Sequence, residues 1–177
     1  MFILLSCSNE NDGREVYEEQ NFLSGFLQTS GFNHTALSFI GYPIHFGYSF
    51  TPLVEGKINS IVIKVPLEYE ENIITLWDKS TGEPIASKTV SLPAEYEVTV
   101  DIEPIQLTKD KEYIISITSI AAYARFNSTF DNAEFPIVEG DIKINYCSMG
   151  SNSETMPNSV IYNYYYGDLS FNFQRTQ

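Results

Sequence analysis

The chain has 177 residues, and 23 acidic against 10 basic residues give it a formal net charge of −13 at pH 7. Such a charge repels nucleic-acid phosphates and anionic membrane surfaces, so neither is an expected partner. The length suits one domain and is too short for two of full size. The composition, 43% hydrophobic and 14% aromatic, provides enough apolar material for one core and argues against disorder.

The first seven residues resemble the end of a bacterial lipoprotein signal. An apolar run from Phe2 to Leu5 is followed by the small residue Ser6 and by Cys7. In such signals the cysteine receives the lipid and becomes the mature N-terminus, so the resemblance implies that Cys7 is lipidated. The basic and apolar parts of a full signal are shortened in residues 1–7, which leaves a frayed apolar N-terminus as the alternative.

Residues 8–21 are predicted to form an acidic, solvated tether. Its charged residues are Glu10, Asp12, Arg14, Glu15, Glu18 and Glu19. An acidic segment behind a lipidated cysteine also resembles the surface-export signal of lipoproteins in the Bacteroides group. We therefore expect a lipid-anchored protein at the bacterial outer membrane or cell surface, which contacts the membrane only through its anchor. Cys147 then lacks an intramolecular partner and is expected to be buried and inert.

Residues 22–177 are predicted to form a single all-β domain. No stretch keeps a helical period over three turns, whereas short β-rich runs bounded by Gly, Pro, Asn and Asp recur. The predicted strands are 44–51, 57–65, 72–78, 84–91, 96–102, 112–120, 142–147 and 169–173. Such spacing predicts an antiparallel β-sandwich, with a jelly roll as the first choice among sandwiches. Residues 127–140 and 148–159 are predicted to be long loops, where binding sites usually lie.

Stretches between residues 46 and 173 follow a further pattern. They are Gly47 to Pro52, Gly56, Ile58, Ile61, Thr75 to Asp78, Gly82, Ile85 to Ser87, Pro104 to Leu107, Tyr113 and Gly167 to Phe171. The pattern, Phe-Thr-Pro and then Leu-Trp-Asp with a following Gly, resembles a bacterial domain-of-unknown-function family of extracellular β-sandwich modules. Those modules are often appended to secreted carbohydrate-active and adhesive proteins. The resemblance implies a fold and an extracellular setting but no catalytic residues, and residues 127–166 match it poorly.

Catalytic machinery is hard to assemble from this sequence. The only histidines, His34 and His45, lack the spacing of a metal motif, and no serine-hydrolase elbow is present. Cys147 and His45 could form a nucleophile and base, but a lone thiol and a turn-side histidine are the favoured interpretation. We therefore expect a protein that is not an enzyme. A glycosidase with paired carboxylates ranks third among the functional hypotheses.

Calcium is the one cofactor that the sequence leaves open. Asp131, Glu134, Glu139 and Asp141 cluster around one predicted loop, and carboxylate oxygens suit this ion. The order of these residues does not match an EF-hand loop, and an acidic exposed loop explains them equally well. Otherwise no cofactor is expected.

Tyrosines are concentrated near the C-terminus and suggest a ligand site. The predicted ligand-binding residues are Tyr164, Tyr165 and Asn163, joined by Tyr42, Tyr123 and Arg125 if the loops converge. Sugar rings stack their C–H faces on flat aromatic rings, while their hydroxyls bind amide and charged groups. The alternative is a strand with Tyr162, Tyr164 and Tyr166 packed inside and Tyr165 facing water.

These features favour a non-catalytic cell-surface lipoprotein module that binds glycan or another extracellular polymer. The alternative hypothesis is a structural or adhesive surface subunit that binds protein partners through a sheet edge.

Overall fold

The computed structural model describes residues 16–151 and 154–177, so Cys7 and most of the predicted tether lie outside the described residues. One helix precedes a series of strands. The elements are α1 (Leu23–Ser30), β1 (His34–Pro52), β2 (Gly56–Lys64), β3 (Tyr69–Asp78), β4 (Pro84–Leu92), β5 (Glu97–Leu107), β6 (Tyr113–Phe126), β7 (Ile137–Glu139), β8 (Ile142–Gly150), β9 (Ser159–Ile161), β10 (Tyr165–Tyr166) and β11 (Leu169–Arg175).

The strands form two antiparallel sheets that pack against each other, which confirms the predicted all-β sandwich. The larger sheet has the order β4-β3-β6-β1-β8-β7, with β10 also paired to β6 and β9 to β8. The smaller sheet has the order β11-β2-β5. The chain crosses repeatedly between the sheets, for example from β1 to β2 and from β4 to β5, as chains do in double-sheet folds.

The core consists largely of aromatic rings contributed by both sheets. On β1, Phe46, Tyr48 and Phe50 recur at every second position and are fully buried, as expected for one face of a strand. Phe171 of β11 faces them from the smaller sheet, and its ring centroid lies 4.8 Å from that of Phe50. Because aromatic side chains bury large apolar areas, this cluster supplies much of the driving force for packing the sheets.

Strand β1 begins ten residues earlier than predicted, at His34 rather than at Ile44. The structure places a β-bulge between Phe39 and Ile44, which joins the predicted strand to residues 34–39. Gly41 adopts a φ of 77°, which is easily accessible only to glycine. The bulge lets β1 continue, so that His34–Phe39 pairs with the second half of β6.

Two further differences concern the helix and the loops. Helix α1 has eight residues, too short to show a period over three turns, and it buries Phe26 against Phe32 and Tyr165. The predicted loop 127–140 contains the short strand β7, the predicted loop 148–159 ends at the first residue of β9, and β8 runs on to Gly150. Short strands of this kind are recruited by pairing with β8, a tertiary contact that local sequence does not show.

The described end of the predicted tether contacts the smaller sheet. The backbone N–H groups of Gln20 and Phe173 donate to each other's carbonyls, at 2.8 and 2.9 Å. The side-chain amide of Gln174 donates to the carbonyl of Tyr17 at 2.6 Å, and the Arg175 guanidinium lies 5.2 Å from the Tyr17 ring centroid. Residues 17–20 therefore follow the edge of β11.

Candidate functional site

An exposed group of aromatic rings lies where the pair of strands β1 and β6 ends. His34 opens β1 directly opposite Phe126, the last residue of β6, and their ring centroids are 5.9 Å apart. Phe130 stacks on Phe126 with centroids 4.8 Å apart and ring planes only 9° from parallel. Tyr164 lies 5.6 Å from Phe126 and 6.1 Å from Phe130. We call His34, Phe126, Phe130 and Tyr164 the aromatic platform.

The platform is connected to the core through Tyr166. The Tyr164 and Tyr166 rings stack with centroids 5.6 Å apart and planes 15° from parallel. Tyr166 in turn packs against the fully buried Phe46 at 6.2 Å. This continuous series of rings fixes the orientation of Tyr164, since a ring held between two others has little freedom to rotate.

A tight turn presents Phe130 to solvent. Phe130 has a φ of 57°, an unusual backbone conformation for a bulky residue, and its side chain is 50% exposed. The Phe130 N–H donates to the Asn127 carbonyl at 3.1 Å. The Asn127 side chain closes the turn, because its amide donates to the Asp131 carbonyl and its oxygen accepts from the Asp131 N–H, each at 2.9 Å. Strain of about 1–3 kcal/mol of this kind persists only where surrounding contacts enforce it, and it is often found at binding sites.

The platform combines flat apolar faces with polar groups at its border. Phe130 offers an exposed ring backed by Phe126, and Tyr164 adds a ring that carries a hydroxyl. The exposed His34 ring is oriented by a 2.6 Å hydrogen bond between its Nδ1 and the Asn33 side-chain oxygen. Such a surface suits ligands that have both apolar faces and hydroxyls, of which sugar rings are the common example.

Of the predicted ligand-binding tyrosines, Tyr164 belongs to the platform, whereas the prediction for Tyr165 is wrong. Tyr165 is fully buried, packs against Phe26 and Tyr48, and donates its hydroxyl to the Leu169 carbonyl. The alternative pattern, in which Tyr165 alone faces water, is wrong as well. Tyr162 is 44% exposed and packs against Phe135 beside the platform. The observed orientation, with Tyr165 buried and Tyr162 exposed, is the reverse of that alternative.

Arg125 and Tyr123 do not join the platform. They alternate with Ala124 and Phe126 along β6 and therefore point to the opposite face of the sheet. Arg125 forms a bidentate salt bridge with the buried Asp168, which raises the pKa of the guanidinium, and it also donates to Thr35 at 2.6 Å. An arginine paired in this way fixes the turn before β11 and has little capacity left for a ligand.

Tyr42 and Asn163 complete the predicted set. Tyr42 is 64% exposed but lies eight residues beyond His34 on β1, roughly 25 Å away along an extended strand. Asn163 directly precedes Tyr164 and is half-buried, so it lies at the border of the platform. The structure therefore brings together Tyr164 and Asn163 and separates Tyr42, Tyr123, Arg125 and Tyr165 from them.

The sequence-based prediction missed His34, Phe126 and Phe130. His34 and Phe126 are 92 positions apart and meet only through the pairing of β1 with β6. A local signal did exist for Phe130, because Asn and Asp close together after a strand are typical turn residues. Phe126 directly before that turn and Phe130 within it would then have indicated an exposed site.

An apolar cleft between the sheets is the second feature that resembles a binding site. It has a volume of about 490 Å³ and is bordered by the edge strands β4 and β5. The Lys88 ammonium group crosses its mouth and donates to the Asp101 carbonyl at 2.6 Å. Ile58 and Ile115 are among its lining residues and are fully buried.

The residues considered for catalysis and calcium are held apart or otherwise engaged. Cys147 is buried and free, as expected, and burial raises the pKa of its thiol. Cys147 on β8 pairs with Tyr48 on β1. His45, also on β1, points to the opposite face of the sheet, where it contacts the hydroxyl of Ser116 at 2.5 Å. The two residues therefore do not form a nucleophile and base.

Three of the four acidic residues proposed for calcium have separate partners. The Asp131 carboxylate accepts from Thr129, whereas the Asp141 carboxylate pairs with Arg175 at 2.8 Å. Glu139 accepts from Thr29 of α1, and Glu134 is exposed. Within residues 16–151 and 154–177, no three His, Cys, Asp or Glu side chains stand close enough together to hold a metal ion.

Comparison with known proteins adds no family to this description. No protein-family model matches the chain, and no curated protein matches it either. Across the part of the chain that the structure describes, no helix is long and apolar enough to cross a membrane.

Proposed function

We propose that this protein is a non-catalytic binding module that holds an extracellular glycan, or a similar hydroxylated polymer, against the aromatic platform. The observation that carries the proposal is Phe130, a half-exposed ring kept in a strained conformation and stacked on Phe126. A ring that served only the core would be buried and relaxed. Here the turn from Asn127 to Asp131 instead keeps one ring face open to solvent.

The setting proposed for this module is the bacterial cell surface, reached through lipidation of Cys7. The apolar run before Cys7 and the acidic segment behind it support this location. The net charge of the chain, −13, fits it as well, because such a charge disfavours contact of the protein with anionic lipids. The aromatic platform contains no carboxylate and no Lys or Arg, which favours a neutral polysaccharide as the ligand.

Screening the unlipidated full-length chain, carrying Cys7→Ser, on arrays of neutral and acidic polysaccharides tests this function. We expect binding to a neutral polymer, and we expect Phe130→Ala and Tyr164→Ala each to weaken it about two- to tenfold. Losing one stacked ring removes about 0.5–1.5 kcal/mol, and 1.4 kcal/mol corresponds to a factor of ten in affinity. Titration calorimetry with the best polymer would measure the change.

Tyr96→Ala is the matched control, because Tyr96 is 72% exposed and belongs to none of the aromatic contacts of the platform. This variant should bind like the parent chain. If the parent binds no polysaccharide, or if both platform variants bind as tightly as Tyr96→Ala, the proposed function is wrong.

A further inference from the structure

The first six residues of β1 form a sheet edge. His34–Phe39 pairs with β6 on one side, whereas β8 pairs with the other side of β1 only from His45 onward. Within residues 16–151 and 154–177, no strand covers that other side between His34 and Phe39. The backbone N–H and C=O groups that point outward along this stretch are therefore available to another strand.

This edge has exposed apolar side chains and no acidic residue, lysine or arginine. Leu37 and Phe39 project from one face of the edge and are 57% and 61% exposed, and Tyr42 beyond them is 64% exposed. No Asp, Glu, Lys or Arg occurs from residue 20 to residue 54, although the chain as a whole carries a net charge of −13. Exposed edge strands with this composition readily add a strand from another chain.

The other long edges are protected against such pairing. β5 carries Pro104, which cannot donate a backbone hydrogen bond, and the charged Asp101 and Glu103. Lys88 of β4 caps the outward Asp101 carbonyl at 2.6 Å. Gln20 pairs with Phe173 along the edge of β11. Proteins generally protect exposed edges with charges, prolines and covering segments. Residues 34–39 include no Asp, Glu, Lys, Arg or Pro, and no strand among residues 16–151 and 154–177 covers their outer side, which indicates that this edge has a partner.

We propose that the partner is a second copy of this chain, whose own His34–Phe39 strand pairs with it in the antiparallel direction. Two copies of a chain with charge −13 repel each other over most of their surfaces, and this uncharged strip is where they can approach closely. Antiparallel pairing of identical edges also closes on itself about a two-fold axis, so it produces a dimer and not a fibre.

The faces of the strand restrict the register of this dimer. If the two-fold axis is normal to the sheet, a side chain that projects from one face of the sheet in the first copy projects from the same face in the second. Residues that lie directly opposite each other across the new strand pair must therefore project from the same face. Pairing Leu37 with Leu37 places Phe39 opposite Thr35 and joins the exposed apolar side chains of both copies in one row. The result is a single continuous sheet through both molecules.

Sedimentation analysis of the full-length Cys7→Ser chain tests the dimer directly. The chain has a mass of 20.1 kDa, and we expect a concentration-dependent species of twice that mass. Leu37→Lys and Phe39→Lys place a charge on the edge of each copy and should shift the equilibrium to the monomer. Tyr96→Lys, at a still more exposed residue outside this edge, should leave the dimer intact.

Crosslinking tests the register. Opposed residues of an antiparallel pair have Cβ atoms about 4.5–5.5 Å apart, close enough for a disulfide after a small adjustment. Leu37→Cys in the Cys7→Ser background should therefore crosslink under mild oxidation, whereas Tyr96→Cys should not. A parent chain that remains monomeric, a dimer that survives both lysine variants with normal thermal unfolding, or a co-purified foreign protein in place of the second copy would each overturn the proposal.

Discussion

Asp78 links two turns of the sandwich through one carboxylate. One oxygen accepts from the Ser80 N–H at 2.9 Å and from the Ser80 hydroxyl at 2.6 Å, which closes the turn between β3 and β4. The other oxygen pairs with Lys111, in the turn before β6, at 2.7 Å. Mainly through the hydrogen bond from Lys111, these contacts lower the pKa of Asp78 from 3.8 to about 2.

The lowered pKa of Asp78 predicts how stability depends on pH. A carboxylate whose pKa is lower in the folded state stabilises that state above its unfolded pKa, and this contribution is lost as pH falls through the folded pKa. Asp78→Asn should therefore reduce the loss of stability between about pH 4 and pH 2. Urea unfolding across that range would measure it, with Glu83→Gln as a variant of a nearby exposed carboxylate. Identical pH profiles for Asp78→Asn and the parent chain would contradict the assignment.

At the scale of elements, α1 covers one end of the larger sheet with Phe26 and ends at Gly31. Gly31 has a φ of 72°, and its N–H donates to the Gln28 carbonyl at 3.2 Å, which caps the helix. A Cβ added at Gly31 would meet no atom within 4 Å, so a substitution there tests only the backbone conformation. This is an unusually direct measure of what the left-handed cap contributes to α1.

Gly31→Ala should lower the free energy of unfolding by about 1–2 kcal/mol, because a Cβ disfavours the left-handed conformation. Gly31→Asn should lower it less, since asparagine tolerates this conformation better than other residues. Chemical denaturation of both variants would measure the difference. Equal stability of Gly31→Ala and the parent chain would show that the end of α1 contributes nothing to the fold.

At the scale of the whole molecule, the excess of acidic residues opposes folding, because like charges are closer together in the compact state. The chain carries a net charge of −13, while residues 20 to 54 include no Asp, Glu, Lys or Arg. If the platform binds glycan as proposed, pairing at the edge of β1 would place the platforms of both copies on the same side of one sheet. Two sites in this arrangement favour binding to a repetitive polymer over binding to a short oligosaccharide.

The thermal midpoint should rise when sodium chloride is increased from low concentration to about 0.15 M, where the screening length is about 8 Å. Chloride is preferable to sulfate in this experiment, because sulfate also strengthens hydrophobic burial. Differential scanning calorimetry at fixed pH would record the shift. A midpoint that falls with added sodium chloride would show that favourable ion pairs outweigh repulsion among the acidic residues.

Much of the architecture was predictable from local features of the sequence. Alternating apolar residues, such as Val98, Val100 and Ile102, identify strands because side chains of a strand alternate between two faces. The Gly82 turn identified the hairpin of β3 and β4, with Gly82 at a φ of 76°. Patterns of this kind involve residues only a few positions apart, so the sequence shows them directly.

The site was less predictable, because its parts meet across long distances in the chain. Tyr164 and Tyr165 look equivalent in sequence, yet the pairing of β10 with β6 leaves one half-exposed and buries the other completely. His34 joins Phe126 only because a bulge lets β1 continue past Gly41. Strand identity follows from neighbours in the chain, whereas the exposure of a ring and the presence of an uncovered edge depend on which distant strands come to lie beside it.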